Sequence, residues 1–485
     1  MTARSRSGTP DARCSSMHRS EPVDALTEGL AELARYDNTN TNMIVVVSGV
    51  LDAARLSAAV TRAMPAFPLL FAGYPPRRIQ PAALDIGCLA VSVHRWEGTC
   101  DVGDAAFREL LMTLNERNRI DARRRVPFQI YLIAGQGDAT SCVYLSSAHA
   151  VADAHSDSLL LERIMREYAS PDGTACTTAR IHDFAPLQYL RPQWYTWPNR
   201  ALRSVRAAAS IARDLMTKDR GFSCPRIAAV PVPQIDFYRS VVDESFSTNI
   251  SQIAKDAGVT VNTVLVAALV RVIERLNQRS GHVRLICAVS LRFALGDSCS
   301  DTFRNYLLPV ALRVPADLSN TQLLARVHEL VRGARRPANL QLELGRLETL
   351  AMLLRIPGLY PLTRRILRRS QGTNACLSNP GVIGENLSSF TNDKSADAVH
   401  RVTQYVGFGC LVEPLDFILY APTLNGRSEF DAVCRRSAFT DIRGQLLERP
   451  ASQRQESNGT RNDVDSQPHI LIFIQTDTNA FRPFP

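Results

Sequence analysis

One short segment of the sequence has the residue types and spacing that acid–base chemistry requires. It runs HAVADAHSD, with His149 and Asp153 four residues apart. An imidazole with a pKa of about 6.5 accepts a proton at neutral pH, and the small neighbours Ala148 and Ala150 leave room for a substrate. The sequence leaves three roles open for His149, which are a general base, a structural histidine and a metal ligand.

The metal alternative depends on four potential ligands that fall within one short segment. They are His149, Asp153, His155 and Asp157. A short loop can chelate a metal ion. No second group of ligands occurs elsewhere in the sequence, however, and His155 can instead open the following helix. We therefore predict no metal site.

Other catalytic motifs are missing from the sequence. It has no G-x-x-x-x-G-K-[ST], G-x-S-x-G or H-E-x-x-H motif, and Gly407 and Gly409 lack the rest of a dinucleotide-binding motif. The run Gly296-Asp297-Ser298 resembles the start of a GDS-type hydrolase motif, but no D-x-x-H partner follows near the C-terminus. These absences count against common nucleotide-binding and hydrolase classes.

The elements around His149 form a predicted strand–loop–helix junction. Apolar runs predict strands at Pro127–Ala134 and Ser141–Ala148, joined as a hairpin. Apolar residues at helical spacing predict a helix over Asp157–Tyr168. His149 thus lies just after a strand, where a loop exposes polar groups above a rigid scaffold.

The rest of the chain repeats this mixture of helices and strands on both sides of a proline-rich interruption. A length of 485 residues suggests about two or three domains. We predict an α/β (α+β) chain in two halves, including a strand at Val402–Val406 in the second. The predicted parts are a flexible tail (1–22), a first lobe (23–190), a linker with a basic helix (191–235), a second lobe (236–449) and a C-terminal tail (450–485).

The net charge of +9 does not indicate nucleic-acid binding. Only three of the 56 basic residues are lysines, and the arginines are scattered among acidic residues. Zinc-spaced and aromatic nucleic-acid motifs are missing as well. We attribute the imbalance mainly to coding bias and predict no nucleic-acid partner.

The cysteines and the N-terminal segment predict a cytoplasmic protein. The 11 cysteines are odd in number and include no C-x-x-C pair, which is typical of free thiols in a reducing compartment. The first twenty residues lack the apolar core of a secretory signal. The sequence contains no uninterrupted run of about 18 apolar residues, so we predict no membrane-spanning helix.

The motif formed by His149 and Asp153, together with its flanking segments, resembles the condensation-domain and acyltransferase superfamily. Members of that superfamily have the chloramphenicol acetyltransferase fold. The family motif H-H-x-x-x-D-G corresponds here to Ala148 through Ala154, with alanine at both ends. Similar segments extend from about Asp24 to about Leu447. They are VSGVLDAARLSAAVTRAMPAFPLL, VPFQIYLI, VTVNTVLVAALVRVI, VSLR ending at Arg292 with Asn305 following, and LSNPG at Leu377 to Gly381.

This resemblance implies two acetyltransferase-like lobes in a V-shaped pseudo-dimer, with His149 in the middle of a central tunnel. His149 would take a proton from an alcohol or amine that attacks a phosphopantetheine thioester. Asp153 would pair with Arg292 of the other lobe, and Ser378 and Asn379 would line the tunnel or stabilise an oxyanion. The donor would be acyl-CoA or an acyl-carrier protein. We expect no permanently bound cofactor and a monomer.

Three functions remain open at this stage. The first is acyl transfer to a lipophilic alcohol, favoured by the basic and apolar stretches Arg200–Thr217 and Met352–Arg369, which suit an acyl channel or at most peripheral contact with a lipid surface. The second is a free-standing condensation enzyme that forms an amide or ester in secondary metabolism. The third is a non-catalytic binding relative, favoured by Ala154, because a Cβ disfavours the positive φ that a glycine adopts easily.

Overall fold

The structure is a computed structural model that describes most of the chain between residues 21 and 438. The described residues are 21–22, 24–71, 78–79, 91–123, 126–135, 140–169, 193, 196–216, 234–242, 244–277, 281–295, 302–370, 374–381, 400–409, 411–424 and 427–438. Most of the predicted N-terminal tail, much of the predicted linker and the whole C-terminal tail lie outside this part.

The described residues form a mixture of strands and helices, in agreement with the predicted α/β (α+β) class. The strands are β1 (Glu21–Pro22), β2 (Asn40–Ser48), β3 (Arg78–Ile79), β4 (Ser92–Arg95), β5 (Phe128–Ala134), β6 (Thr140–Ala148), β7 (Ile235–Val241), β8 (His282–Ser290), β9 (Leu307–Pro315), β10 (Ala375–Ser378), β11 (Val402–Phe408), β12 (Phe417–Tyr420), β13 (Thr423–Leu424) and β14 (Arg427–Arg435). The helices are α1 (Ala25–Leu33), α2 (Ala53–Ala63), α3 (Ala105–Arg117), α4 (Ala154–Ala169), α5 (Trp197–Met216), α6 (Glu244–Asp256), α7 (Val261–Asn277), α8 (Arg292–Leu295), α9 (Asn320–Ala334), α10 (Pro337–Arg355) and α11 (Tyr360–Ser370). Short 3-10 turns cover Met64–Ala66 and Pro68–Phe71.

The N-terminal sheet has the strand order β11-β2-β6-β5-β4. The predicted hairpin is present, because β5 and β6 pair antiparallel with Phe128 opposite Ser147. Helices α2 and α4 cover one face of this sheet, where apolar residues such as Val45, Val143 and Leu160 are buried. Strand β6 is an inner strand that ends at Ala148, so His149 is the first residue beyond its C-terminal end.

The C-terminal sheet has the strand order β13-β14-β12-β10-β8-β9, with β7 paired to β14. Strand β10 runs parallel to both of its neighbours, whereas β8 and β9 are antiparallel. Helices α6, α7 and α9 bury their apolar sides on one face of it. Helix α7 has an uninterrupted apolar run over 264–270 because the sheet and neighbouring helices cover it there, and Val266 and Leu269 are fully buried.

Strand β11 connects the two halves of the chain. It follows the β10 segment of the second half but pairs antiparallel with β2 of the N-terminal sheet, with Val406 opposite Ile44. The strand predicted at Val402–Val406 within the second lobe therefore belongs to the first sheet. A shared core lies between the sheets and includes Tyr144, Phe237 and Ile418. The halves are thus continuous in both backbone pairing and packing.

Two further expectations concern cysteines and membrane spans. The described cysteines Cys100, Cys142, Cys287, Cys376 and Cys434 are all buried thiols, as predicted. In the described ranges, no single helix has the length and apolar composition to cross a membrane. Helices α6 and α7 meet that criterion only as a pair, which bends by 102°.

Candidate active site

His149 occupies the first position after β6, and the backbone around it is tightly held. Its backbone N–H donates to the carbonyl of Thr39 at 3.1 Å. Its ring Nδ1 lies 2.9 Å from the carbonyl oxygen of Ala152. Since a carbonyl only accepts hydrogen bonds, Nδ1 carries the hydrogen, and Nε2 is the nitrogen left to accept a proton.

Asn305 holds the His149 loop from the second half of the chain. Its side-chain amide donates to the backbone carbonyl of His149, across 156 residues of sequence. Its backbone N–H donates to the carbonyl of Val151 at 3.0 Å, and its side-chain oxygen accepts from the N–H of Leu307 at 2.8 Å. In the sequence Asn305 is only a flanking match to the family pattern, and no local pattern indicates this contact.

The electrostatic surroundings favour a neutral His149. Burial lowers the pKa of the imidazole below its usual 6.5, although the Ala152 carbonyl and the charge of Asp153 act in the opposite direction. A neutral ring with one free nitrogen is the form that a general base requires at neutral pH.

Asp153 and Arg292 form a buried ion pair between the two halves. The guanidinium Nη1 lies 2.5 Å from Oδ2, and Nη2 lies 3.1 Å from Oδ1. The two side chains are only 3% and 12% exposed. This bidentate geometry is the strong form of an arginine–carboxylate contact. The contact joins the start of α4 to the segment that follows β8.

Backbone groups complete the shell around Asp153. Its Oδ1 accepts from the N–H of Ser156 at 2.9 Å, so the aspartate caps the N-terminus of α4. Its Oδ2 accepts from the N–H of Tyr306 at 3.0 Å. Arg292 also donates to the carbonyl of Arg304 at 2.9 Å. One carboxylate therefore fixes the helix start, the arginine and the 304–306 segment.

These contacts determine the charge of Asp153. Burial by itself would raise the pKa of the carboxyl, but the Arg292 charge and the hydrogen bonds from Arg292, Tyr306 and Ser156 outweigh it and lower the pKa to about 2. The carboxylate is therefore ionised near neutral pH, and both of its oxygens accept hydrogen bonds. It is a positioning group, since it does not contact the His149 ring.

The geometry at Ala154 removes the structural objection that the sequence raised. Ala154 is the first residue of α4. Within the described ranges, Asp317 is the one non-glycine residue with a positive φ. The loop therefore requires no glycine at position 154, and the capping of α4 by Asp153 needs only ordinary helical backbone there.

The four potential metal ligands are directed to different partners. Asp153 is bound to Arg292, while His155 is exposed on α4. Asp157 is buried and accepts hydrogen bonds from Thr41 at 2.5 Å and from Ser147 at 2.8 Å. Burial raises the pKa of Asp157 to about 7. The part of the chain that the structure describes contains no group of three His, Cys, Asp or Glu side chains placed to hold a metal ion.

A cavity of about 150 Å³ lies between the two halves, and His149 is part of its wall. Its lining is mostly apolar and comes from both halves of the chain. The lining residues are Leu26, Leu30, Thr41, Asn42, His149, Ala154, Asp157, Ile286, Ala288, Leu307, Pro309, Leu347, Cys376, Ser378, Pro380, Tyr405, Gly407, Phe408, Gly409, Val412, Leu415, Ile418, Tyr420 and Pro422. The position agrees with the central tunnel that the resemblance implied.

The two weaker candidates from the sequence occupy different positions. Ser378, at the end of β10, lines the cavity. Asn379 is not among the lining residues, and its side-chain oxygen instead accepts from the N–H of Gly381 at 2.9 Å. The structure thus brings Ser378, but not Asn379, to the wall that contains His149. Thr41 and Tyr405, which no sequence pattern indicated, line the same cavity.

Comparison with solved structures identifies the fold. A mutant starter condensation domain of rhizomide synthetase RzmA, in complex with C8-CoA, is 14% identical with a TM-score of 0.63, covering 96% of both chains. The condensation domain of the Monacolin K polyketide synthase MokA is 13% identical with a TM-score of 0.59, also covering 96% of both. The EpoB cyclization-docking bidomain from Sorangium cellulosum is 15% identical with a TM-score of 0.64, covering 95% of this chain and 86% of that one.

No protein-family model matches the sequence, and no curated protein does. At identities of 13 to 15%, the structural similarity establishes the fold alone. The two-lobed condensation-domain fold expected from the sequence is confirmed.

The Asp153–Arg292 pair predicts a large loss of stability on substitution of the acid. Asp153→Asn leaves the buried guanidinium without its counter-charge, which should lower the free energy of unfolding by about 3–5 kcal/mol. Because the pKa of Asp153 is about 2 when folded and 3.8 in the unfolded reference, this stabilisation is present above pH 3.8 and is lost as the pH falls towards 2. Denaturant unfolding at several pH values measures both effects.

The matched control is Glu329→Gln in the exposed Arg326–Glu329 pair, whose acid is 68% exposed. This change should cost no more than about 1 kcal/mol. Equal effects of the two substitutions, or a loss at Asp153 that grows as the pH falls, would contradict the buried-pair assignment.

Proposed function

We propose that the protein is an acyltransferase that moves an acyl group from a phosphopantetheine thioester to an alcohol, with His149 as general base. The single observation that carries this proposal is the state of the His149 ring. Its Nδ1 is committed to the Ala152 carbonyl, which leaves Nε2 unprotonated on a ring that borders the cavity between the halves.

The proposed reaction needs only one proton-transferring group. Nε2 of His149 takes the proton from the acceptor hydroxyl, whose oxygen attacks the thioester carbonyl carbon. The carbon–sulfur bond then breaks, and the departing sulfur takes the proton back from the imidazolium, so that an ester and a free thiol leave. A positioned base of this kind contributes about 10²–10⁴-fold to the rate.

The donor is proposed to be acyl-CoA or an acyl-carrier protein. The RzmA domain, which shares the fold, is known in complex with C8-CoA, and this supports an acyl-CoA donor by analogy. The apolar side chains of the cavity wall, among them Leu26, Leu30 and Ile418, favour an acyl chain or a lipophilic acceptor. We propose no permanently bound cofactor.

A second candidate is a condensation reaction in which the nucleophile is an amine. Another RzmA mutant is known in complex with both C8-CoA and Leu-SNAC, an aminoacyl thioester. The same base would remove a proton from the amine, and the product would be an amide. This observation favours the amide as a real alternative to the ester.

The proposed base predicts a loss of activity that is specific to His149. The full chain is incubated with octanoyl-CoA and either octanol or Leu-SNAC, and free thiol release and product mass are measured. His149→Ala should lower kcat by about 10²–10⁴-fold because only the base is removed. The control is His94→Ala, which removes a partly exposed ring on strand β4.

The outcome with each acceptor distinguishes the candidates. An ester with octanol supports alcohol acylation, whereas an amide with Leu-SNAC supports the condensation reaction. A His149→Ala variant as active as the wild type refutes the proposed base. Binding of octanoyl-CoA without any product from either acceptor favours the non-catalytic relative.

The lowered pKa of His149 predicts where activity declines at acidic pH. Only the neutral ring accepts a proton, so kcat/KM falls as the pH drops through the pKa of the free enzyme's base. Because burial lowers that pKa, the midpoint should lie below 6.5. A midpoint above 6.5 in a profile of kcat/KM against pH would rule out a buried, neutral His149 as the base.

A further inference from the structure

Helix α5 carries an apolar stripe that faces solvent. Its members are three or four residues apart, except for two that are adjacent in sequence. They therefore lie on one side of the helix. They are Ala201, Val205, Ala208, Ala209, Ala212 and Met216, all of them exposed. Val205 is 67% exposed and Met216 is 83% exposed. The outward side of a helix on a soluble protein is ordinarily polar, so this stripe is unusual.

The opposite side of α5 is the one that packs on the protein. Arg203, Ala207 and Ile211 follow each other at four-residue steps and are buried. Gly345 of α10 lies directly against this side, where an added Cβ would come within 3.3 Å of the Ala207 side chain. Arg203 pairs with Glu348 of α10 at 2.6 Å. The helix is therefore already fixed in the fold, and the outward stripe is not needed for packing.

Additional exposed apolar side chains lie at one end of the pair formed by α5 and α10. The contacts of Ala207 with Gly345 and of Arg203 with Glu348 show that α5 and α10 run antiparallel. The first turn of α5 therefore lies near the last turns of α10, and α11 packs against both helices. The exposed side chains at this end are Trp197 (81%), Met352 (64%), Ile356 (49%) and Leu362 (50%).

The charged residues beside the stripe are all basic. Arg206 and Arg213 are exposed and lie seven residues apart, along one border of the stripe. Helix α11 adds exposed Arg365 and Arg369 and has no acidic residue. The single acid of α5, Asp214, lies on the packed side, where it pairs with Arg346 at 2.8 Å. Among the residues that the structure describes, no acid pairs with these four arginines.

We propose that α5, the C-terminal end of α10 and α11 form a docking surface for an anionic lipid bilayer. The apolar stripe and Trp197 would enter the headgroup region, and the arginines would contact lipid phosphates, as in interfacial amphipathic helices. Self-association is disfavoured, because a two-fold contact through this surface would bring the same arginines together. The inference is independent of the proposed acyl transfer, since binding is measured without substrate.

The test is co-sedimentation of the full chain with vesicles of phosphatidylcholine alone or with about a third phosphatidylglycerol. Binding should be strong only to the anionic vesicles and should weaken with salt. Arg206→Gln with Arg213→Gln should weaken it by roughly 30-fold, from the usual contribution of each arginine near an anionic surface. The matched control, Arg95→Gln with Arg332→Gln, removes two exposed arginines from β4 and α9 and should leave binding unchanged.

Insertion of the apolar residues has its own readout. The chain has three tryptophans, so emission is measured in a Trp96→Phe, Trp194→Phe variant, in which Trp197 is the tryptophan that remains. Its emission should shift to shorter wavelength on anionic vesicles and not on neutral ones. Val205→Ser with Met216→Ser should weaken binding at least tenfold, whereas Val93→Ser, which removes a 53% exposed valine from β4, should not. Folding of each variant is checked by its thermal transition.

Any one of the following results would overturn the proposal. They are equal binding to neutral and anionic vesicles, no binding to either, a control pair as damaging as the Arg206 and Arg213 pair, and dimerisation through α5 that Val205→Ser abolishes. Capture of an acidic carrier protein by this surface in place of vesicles would also overturn it.

Discussion

The buried pair of Asp153 and Arg292 is the interaction on which the rest of the site depends. Ionised partners in a buried position are costly unless their hydrogen-bonding groups are used. Here backbone N–H groups and a carbonyl use most of them, and Nε of Arg292 is the group of this pair without a hydrogen-bond partner among the described residues. Because the two residues come from different halves, their contact also fixes the walls of the cavity. His149 is then held between a strand end and a helix start that cannot move independently.

The sequence predicted the local part of this arrangement. The hairpin β5–β6 and the loop at His149 follow from apolar patterns and turn residues, because both depend on neighbours in sequence. Helix α4 begins at Ala154 and not at the predicted Asp157, since the side chain of Asp153 caps it. The bounds of a helix thus depended on a side-chain contact that periodicity does not record.

Contacts between residues far apart in the chain could not be predicted from sequence patterns. Asn305 reaches the His149 carbonyl across 156 residues, and nothing in its own surroundings indicates that partner. Asp157 has the spacing of a ligand, but its buried carboxylate accepts hydrogen bonds from Thr41 and Ser147 instead. Strand β11 was predicted as a strand, yet its pairing with β2 depends on the path of the whole second half. The resemblance to known families supplied the Arg292 partner, which patterns alone did not.

The position of β11 has a consequence for the order in which the molecule can be assembled. Until residues 402–408 have left the ribosome, β2 is the outer strand of its sheet and presents unpaired backbone groups. The N-terminal half therefore keeps an open sheet edge until β11 is translated, more than 350 residues after β2. Cutting the chain into two pieces at the linker would leave the first piece permanently in that aggregation-prone state.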